Sequence, residues 1–299
     1  MTIIAEVNQL SKNYKQVKAV DSVSFKLEEG KIYGLLGRNG AGKTTIMQML
    51  TAQMFPTSGG VKLFGEHPYE NNKVLSQVCF IKESQKYPDY FNVADVLDVA
   101  ASFFENWDAK YADQLVELFR LPRKRAIKKL SRGMLSSVGV IIGLASRAPL
   151  TIFDEPYLGL DAVARSMFYD ELLHDYSQNP RTIVLSTHLI DEVNRLLEHV
   201  ILIDQGRLLL DDDTESLRNK AFKVAGVKDK VEQFVEGLNV VNNEPFGGLI
   251  TATVLQPLLP KMRQLAAEQS LEIVPLSLQD LIILLTKQNP DSYKEGVSS

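Results

Sequence analysis

Apolar and polar positions alternate in three stretches near the start of the chain, "IAEVNQL", "VDSVSFKLEEG" and "GVKLFG". A period of two puts one set of side chains on a buried face and the other in water. Each stretch therefore predicts a strand, bounded by turn residues. "KIYGLLG", "PLTIFD", "TIVLSTH" and "HVILIDQG" are instead short unbroken apolar runs, the pattern of parallel strands buried on both faces. Helical patterns lie between them, so residues 1–215 read as one α/β unit. Residues 93–145 lack strand signals, and "VADVLDVAASFFENW" and "DAKYADQLVELF" predict a helical insert there.

The texture changes after "DDDTESLRNK". "VKDKVEQFVEGL" sets Val227, Val231, Phe234, Val235 and Leu238 on one helical face, and "GLITATVL" alternates as a strand. "LLPKMRQLAAEQ" looks helical, "LEIVPL" strand-like, and "SLQDLIILLTKQ" opens with a capping box from Ser277 to Asp280. Residues 220–290 are thus expected to form a small α+β accessory domain of ferredoxin-like type, with a helical tail on the main domain as the alternative. The closing "NPDSYKEGVSS" reads as disordered.

Composition narrows the function. A chain of 299 residues has room for one large domain or a main and a smaller one. The net charge is -4, from 33 basic and 37 acidic residues, so the basic excess of a nucleic-acid binder is missing. The basic run "LPRKRAIKKL" reads as a solvated face. A single cysteine, Cys79, excludes an internal disulfide framework and fits a reducing compartment. The opening "MTIIAEVNQLSKNY" turns polar too soon for a secretory signal. Arg147 and Pro149 interrupt the longest apolar candidate, "MLSSVGVIIGLASRAPLTIF", so any membrane role is expected to be peripheral or through a partner.

The chemistry concentrates in "GLLGRNGAGKTT". A strand runs into it and a helix follows, and the spacing from Gly37 through Arg38, Asn39, Gly40, Ala41, Gly42 and Lys43 to Thr44 is G-x-x-x-x-G-K-T, with Thr45 next. Backbone N–H groups can ring a phosphate only where no Cβ intrudes, which is the use of the three glycines. The helix N-terminus adds positive charge, Lys43 would reach the outer phosphates, and Thr44 would ligate Mg²⁺. "LTIFDEP" then places Asp154 at the end of a buried strand, where it can hold the Mg²⁺ shell. Glu155 follows, placed to polarise a water. His188 ends the next apolar strand and can face the same phosphates.

Together, the Gly37–Thr44 loop, "LSRGM", "FDEP", "LGLD" and "STH" resemble an ABC-transporter ATPase in order and spacing, over about residues 3–215. The separate C-terminal extension and "FFENWDAKY" resemble the bacterial YtrB-like group within it. The resemblance implies a P-loop NTPase core with an antiparallel β subdomain and a helical subdomain. It also implies ATP and Mg²⁺ as ligands, and a head-to-tail dimer of ATPase subunits, homomeric or heteromeric, at the cytoplasmic face of a membrane. A separate membrane subunit would ride on it, and export is the expected direction. Tyr14 would stack on adenine, Asp154 would support Mg²⁺, Glu155 would act as general base, and His188 would contact the γ-phosphate. Ser131 and Gly133 would clamp the nucleotide of the opposite chain, with Asp161 bridging.

Two departures stand out. The usual Leu-Ser-Gly-Gly-Gln is here Leu130, Ser131, Arg132, Gly133 and Met134. Arg132 either points away from the nucleotide or alters closure of the dimer. Glu83 stands where the family has a Mg²⁺-sensing glutamine, and serves as a hard metal ligand, or Gln85 fills that part. A soluble ATPase acting on nucleic acid or ribosomes, and a regulatory subunit with little turnover, are the competing functions.

Overall fold

The computed structural model describes residues 2–83 and 85–287; the closing segment read as disordered falls outside them. The chain forms two compact units. One runs to Leu189 and resumes over Arg195–Asp211, and the other takes Ile190–Asn194 and everything from Asp212. The division thus differs from the expected break between 215 and 220. A short segment lying between two core strands belongs with the second unit.

In chain order the first unit holds β1 (Ile3–Tyr14), β2 (Val17–Glu28), β3 (Ile32–Leu36), α1 (Lys43–Leu50), β4 (Ser58–Leu63), α2 (Asn72–Leu75) and β5 (Val78–Ile81). There follow α3 (Val93–Phe103), α4 (Ala109–Leu118), α5 (Arg132–Ala145), β6 (Leu150–Asp154), α6 (Ala162–Gln178) and β7 (Thr182–Thr187). After α7 (Ile190–Val193), which belongs to the second unit, come β8 (His199–Asp204) and β9 (Arg207–Asp213). The alternating stretches become a three-stranded antiparallel sheet ordered β2-β1-β4. A bulge near Gln9, at φ 47°, resets its inside-outside pattern so that Val7 and Leu10 are both buried.

The continuous apolar runs become the second sheet, ordered β5-β6-β7-β3-β8-β9, whose pairs from β5 through β8 are parallel. Every residue of β3, β6 and β7 is buried, as strands covered on both faces require. Cys79 lies on β5, wholly buried, where loss of solvation pushes its thiol up to about 12. The stretch 93–145 contains α3, α4 and α5 and no strand. Each of the three helices starts on a side-chain cap, from Asn92, Asp108 and Ser131 respectively.

The second unit contains α7, α8 (Thr214–Arg218), β10 (Phe222–Val227), α9 (Lys228–Phe234), β11 (Val240–Phe246), β12 (Leu249–Val254), α10 (Pro260–Glu268), β13 (Glu272–Pro275) and α11 (Leu278–Lys287). From β10 to β13 the order is βαββαβ, with an antiparallel sheet ordered β11-β12-β10-β13. That is the split-βαβ, ferredoxin-like arrangement. Phe222, Val224, Val231, Phe234, Ile250 and Ala252 make its core. α11 packs on α7 and α8, which explains why the short α7 joins this unit. Among the described residues no helix is long and apolar enough to cross a membrane.

Candidate functional site

Parallel pairing brings the candidate residues to one end of the six-stranded sheet. Leu36 pairs with Thr187 and Asp154 with Ser186. The loop after β3, the carboxylates that end and follow β6, and the histidine after β7 therefore emerge side by side. This carboxyl edge is where open α/β sheets bind ligands.

The glycines of the loop are dictated by space as well as by φ. Gly37 lies at φ 151°, and a Cβ there would sit 2.2 Å from the backbone oxygen of Ile203. Gly42 lies at φ 106°, and a Cβ would meet the Ala19 carbonyl at 2.5 Å. Arg38, Asn39 and Gly40 are exposed, and Ala41 is buried beneath them. Lys43 starts α1 and is only 5% exposed; its Nζ donates to the carbonyls of Gly37 at 2.8 Å and Arg38 at 3.2 Å. The lysine is thus folded back under the loop, holding its curvature. Thr44 Oγ1 donates to Asp154 Oδ2 at 2.8 Å, and Thr45 is half-buried.

Two carboxylates are buried at this edge. Burial pushes Asp154 above the usual carboxylate range, against the Thr44 hydroxyl bond that lowers it. Its Oδ1 makes no hydrogen bond among the described residues. A hydroxyl and a carboxylate in contact, with one buried oxygen left over, form a hard-oxygen donor set of the sort Mg²⁺ takes while retaining waters and phosphate oxygens. The residues therefore fit that ion.

Glu155 takes a left-handed backbone, φ 50°, uncommon for a residue with a side chain and typical of positions held by their surroundings. Burial also raises its carboxyl, opposed by Lys43 and His188. Oε1 faces Lys43 Nζ at 3.6 Å, and Oε2 meets His188 Nδ1 at 2.9 Å. Oε2 also takes the hydroxyl of Tyr157.

Three of the other expected residues lie elsewhere. Ser131, Gly133 and Asp161 line a different cleft, of about 770 Å³, with no residue of the Gly37–Thr44 loop in its wall. Ser131 caps α5 and Asp161 caps α6. Gly133 has a reason inside this chain, since a Cβ would lie 2.7 Å from the Gly159 carbonyl. Tyr14, expected against adenine, presents a ring 43% exposed, with Lys12 Nζ 5.6 Å from its centroid. Glu83, expected as a metal ligand, pairs with Arg132 Nη2 at 2.8 Å, and its charge also helps to raise Asp154. Sequence reasoning missed that pair, and missed Tyr157 altogether.

A glycine loop between a buried parallel strand and a helix, a lysine beneath it, and a threonine bonded to a strand-end aspartate define a P-loop nucleoside triphosphatase. Residues 20–158 match the ABC transporter family. The bacitracin transport ATP-binding protein BcrA of Bacillus licheniformis is 32% identical, over 74% of this chain and 73% of its own length. The ABC transporter ATP-binding protein YtrB of Bacillus subtilis is 25% identical, over 73% and 75%. A solved ATP-binding subunit of an ABC transporter superimposes with a TM-score of 0.65 at 25% identity, covering 72% of this chain and 92% of that one. The chain belongs to the ABC transporter family, as an ATP-binding subunit with an ABC ATPase fold.

Proposed function

We propose that this subunit hydrolyses Mg-ATP to drive a membrane exporter, working as a head-to-tail pair of ATPase chains at the cytoplasmic face of the membrane. The observation that carries the reading is the cluster at the sheet edge: Lys43 under the loop, Thr44 bonded to Asp154, and Glu155 held next to His188. Thr44 and Asp154 would hold Mg²⁺, which supplies charge neutralisation at the phosphates. The loop N–H groups and Lys43 bind and orient the phosphates, and Glu155 takes the proton of the attacking water. Ser131, Gly133 and Asp161 occupy a separate cleft, which supports a site completed by a second chain.

An apolar cleft of about 270 Å³, lined by Phe80, Gln85, Tyr87, Val96 and Val99, adjoins the Glu83 segment. Phe103, also in its wall, is 68% exposed. We place the membrane subunit's contact there. Export is the reading we extend to this chain from a relative that is 31% identical over 73% of it, the Nod factor export ATP-binding protein I of Cupriavidus metallidurans. ATPase activity measured with and without the co-purified membrane subunit tests it; a chain that neither hydrolyses ATP nor retains such a partner would overturn it.

The ion pair between Arg132 and Glu83 favours weighing a second reading, a regulatory subunit whose closure is deliberately weakened. Both side chains are well exposed, 69% and 42%, and exposed pairs contribute about 0–1 kcal/mol. Arg132→Gly is therefore expected to change steady-state turnover at saturating Mg-ATP by less than about tenfold, a factor that corresponds to roughly 1.4 kcal/mol of barrier. A larger rise would favour the regulatory reading.

A further inference from the structure

Among the described residues Glu155 has three side-chain partners: Lys43, His188 and Tyr157. The function proposed above, on which this inference rests, draws the first two towards phosphate. Lys43 is a cation under the phosphate loop, and His188 is an imidazole with 38% of its side chain exposed. A base left with no partner would be free to change rotamer when nucleotide arrives, and misplacement by about 1 Å can cost roughly 100-fold in rate.

Tyr157 has no such competing task. It is neutral and only 2% exposed, and it lies in the loop that follows β6. Its hydroxyl makes two kinds of contact. It donates to Glu155 Oε2, and it accepts the backbone N–H of His188 at 3.2 Å. The second contact ties it to the end of β7 by main chain, so movement of the imidazole need not disturb it. The hydroxyl also lies 2.9 Å from His188 Nδ1, and the two rings meet edge to face with centroids 5.7 Å apart. With the proton on Nδ1, both donors converge on Oε2, while Oε1 makes no hydrogen bond among the described residues.

We propose that Tyr157 is the positioning residue of the general base. It pins Oε2 of Glu155 to the end of β7 when Lys43 and His188 turn to the phosphates, and it leaves Oε1 as the oxygen that takes the proton. The water oxygen bonds to the γ-phosphorus, its proton passes to Oε1, and the bridging P–O bond breaks with its electron pair leaving on ADP. Tyr157 itself gains and loses nothing.

Tyr157→Phe retains the buried ring and removes the hydroxyl, so a folded protein with an ordinary melting profile is expected. Its kcat should fall about 10- to 100-fold while KM for ATP stays within about twofold, because the lost contact orients the base and does not touch nucleotide. In a Glu155→Gln background the same exchange should change the residual rate by less than about twofold, since the tyrosine acts through the carboxylate. The ring ¹⁵N signals of His188, one of four histidines, should also move in the nucleotide-free variant. An active wild type with unchanged kcat in the variant overturns the inference alone. So do equal losses in both backgrounds, or unmoved His188 signals. A wild type without ATPase activity overturns the functional reading, and the inference with it.

Discussion

Glu155→Gln is expected to slow ATP hydrolysis by about 10²- to 10⁴-fold, the usual contribution of a positioned general base. The exchange preserves shape in a buried place and removes the proton acceptor together with the charge that faces Lys43. The Tyr157 hydroxyl can still donate to the amide oxygen, so the loop after β6 should hold. Lys43 loses the charge it faces but keeps the carbonyls of Gly37 and Arg38, and burial already pushes this carboxyl upward, so the cost in stability should be partial. ATP affinity should persist, since Lys43 and the loop glycines are untouched. A chain that binds ATP and does not cleave it should accumulate as an ATP-bound dimer. Single-turnover hydrolysis and size-exclusion in Mg-ATP measure both expectations. Turnover near the wild-type rate would remove Glu155 from the base role.

Lys43→Ala is expected to abolish tight ATP binding. A hydrogen bond to a charged group contributes about 1.5–3 kcal/mol, so losing the lysine should weaken affinity by roughly 10- to 150-fold. Two further losses add to this. Nζ links the carbonyls of Gly37 and Arg38, and without it the loop loses its internal tie. Glu155 would also lose the cation facing Oε1, leaving a buried carboxylate with His188 and Tyr157 alone. A nucleotide titration checks the affinity, and a thermal melt separates lost binding from lost fold. Unchanged affinity would contradict the placing of phosphates at this loop.

The phosphate loop was legible from sequence because its chemistry demands glycine at fixed spacing between a strand and a helix, and few other demands give that string. The end of β6 was legible for a related reason: an acidic pair directly after Ile152 and Phe153 closes a short, largely apolar run. Strand β5 was not, because "VCFI" is too short to separate from the polar loop after it. Strand β10 was hidden because Val227, expected on the helical face, is in fact the exposed end of this strand, paired with Leu249, and Gly226 interrupts the apolar pattern before it. The missing Cβ of Gly226 lets the Leu271 side chain approach to 2.5 Å of where that atom would be. The membership of α7 in the second unit needs α11, nearly a hundred residues on, and no local pattern reports it. Arg132 and Glu83 were both noticed as departures, but their pairing spans 49 positions. Tyr157 follows a proline in a loop and belongs to no spacing, so only the fold brings it to Glu155.

Cys79 gives the molecule a reporter of its own. A thiolate reacts where a thiol does not. Here the sulfur is both shielded and held as the thiol, on the β5 strand that pairs with β6 at the edge of the sheet. Alkylation must therefore wait for an opening that bares the sulfur, and the labelling rate becomes a clock for that opening. Cys79 also lies in the wall of the apolar cleft beside the Glu83 segment. A membrane subunit seated there should slow the clock, so docking could be timed without any probe being attached. Labelling at one rate with and without that subunit would place the contact on another face.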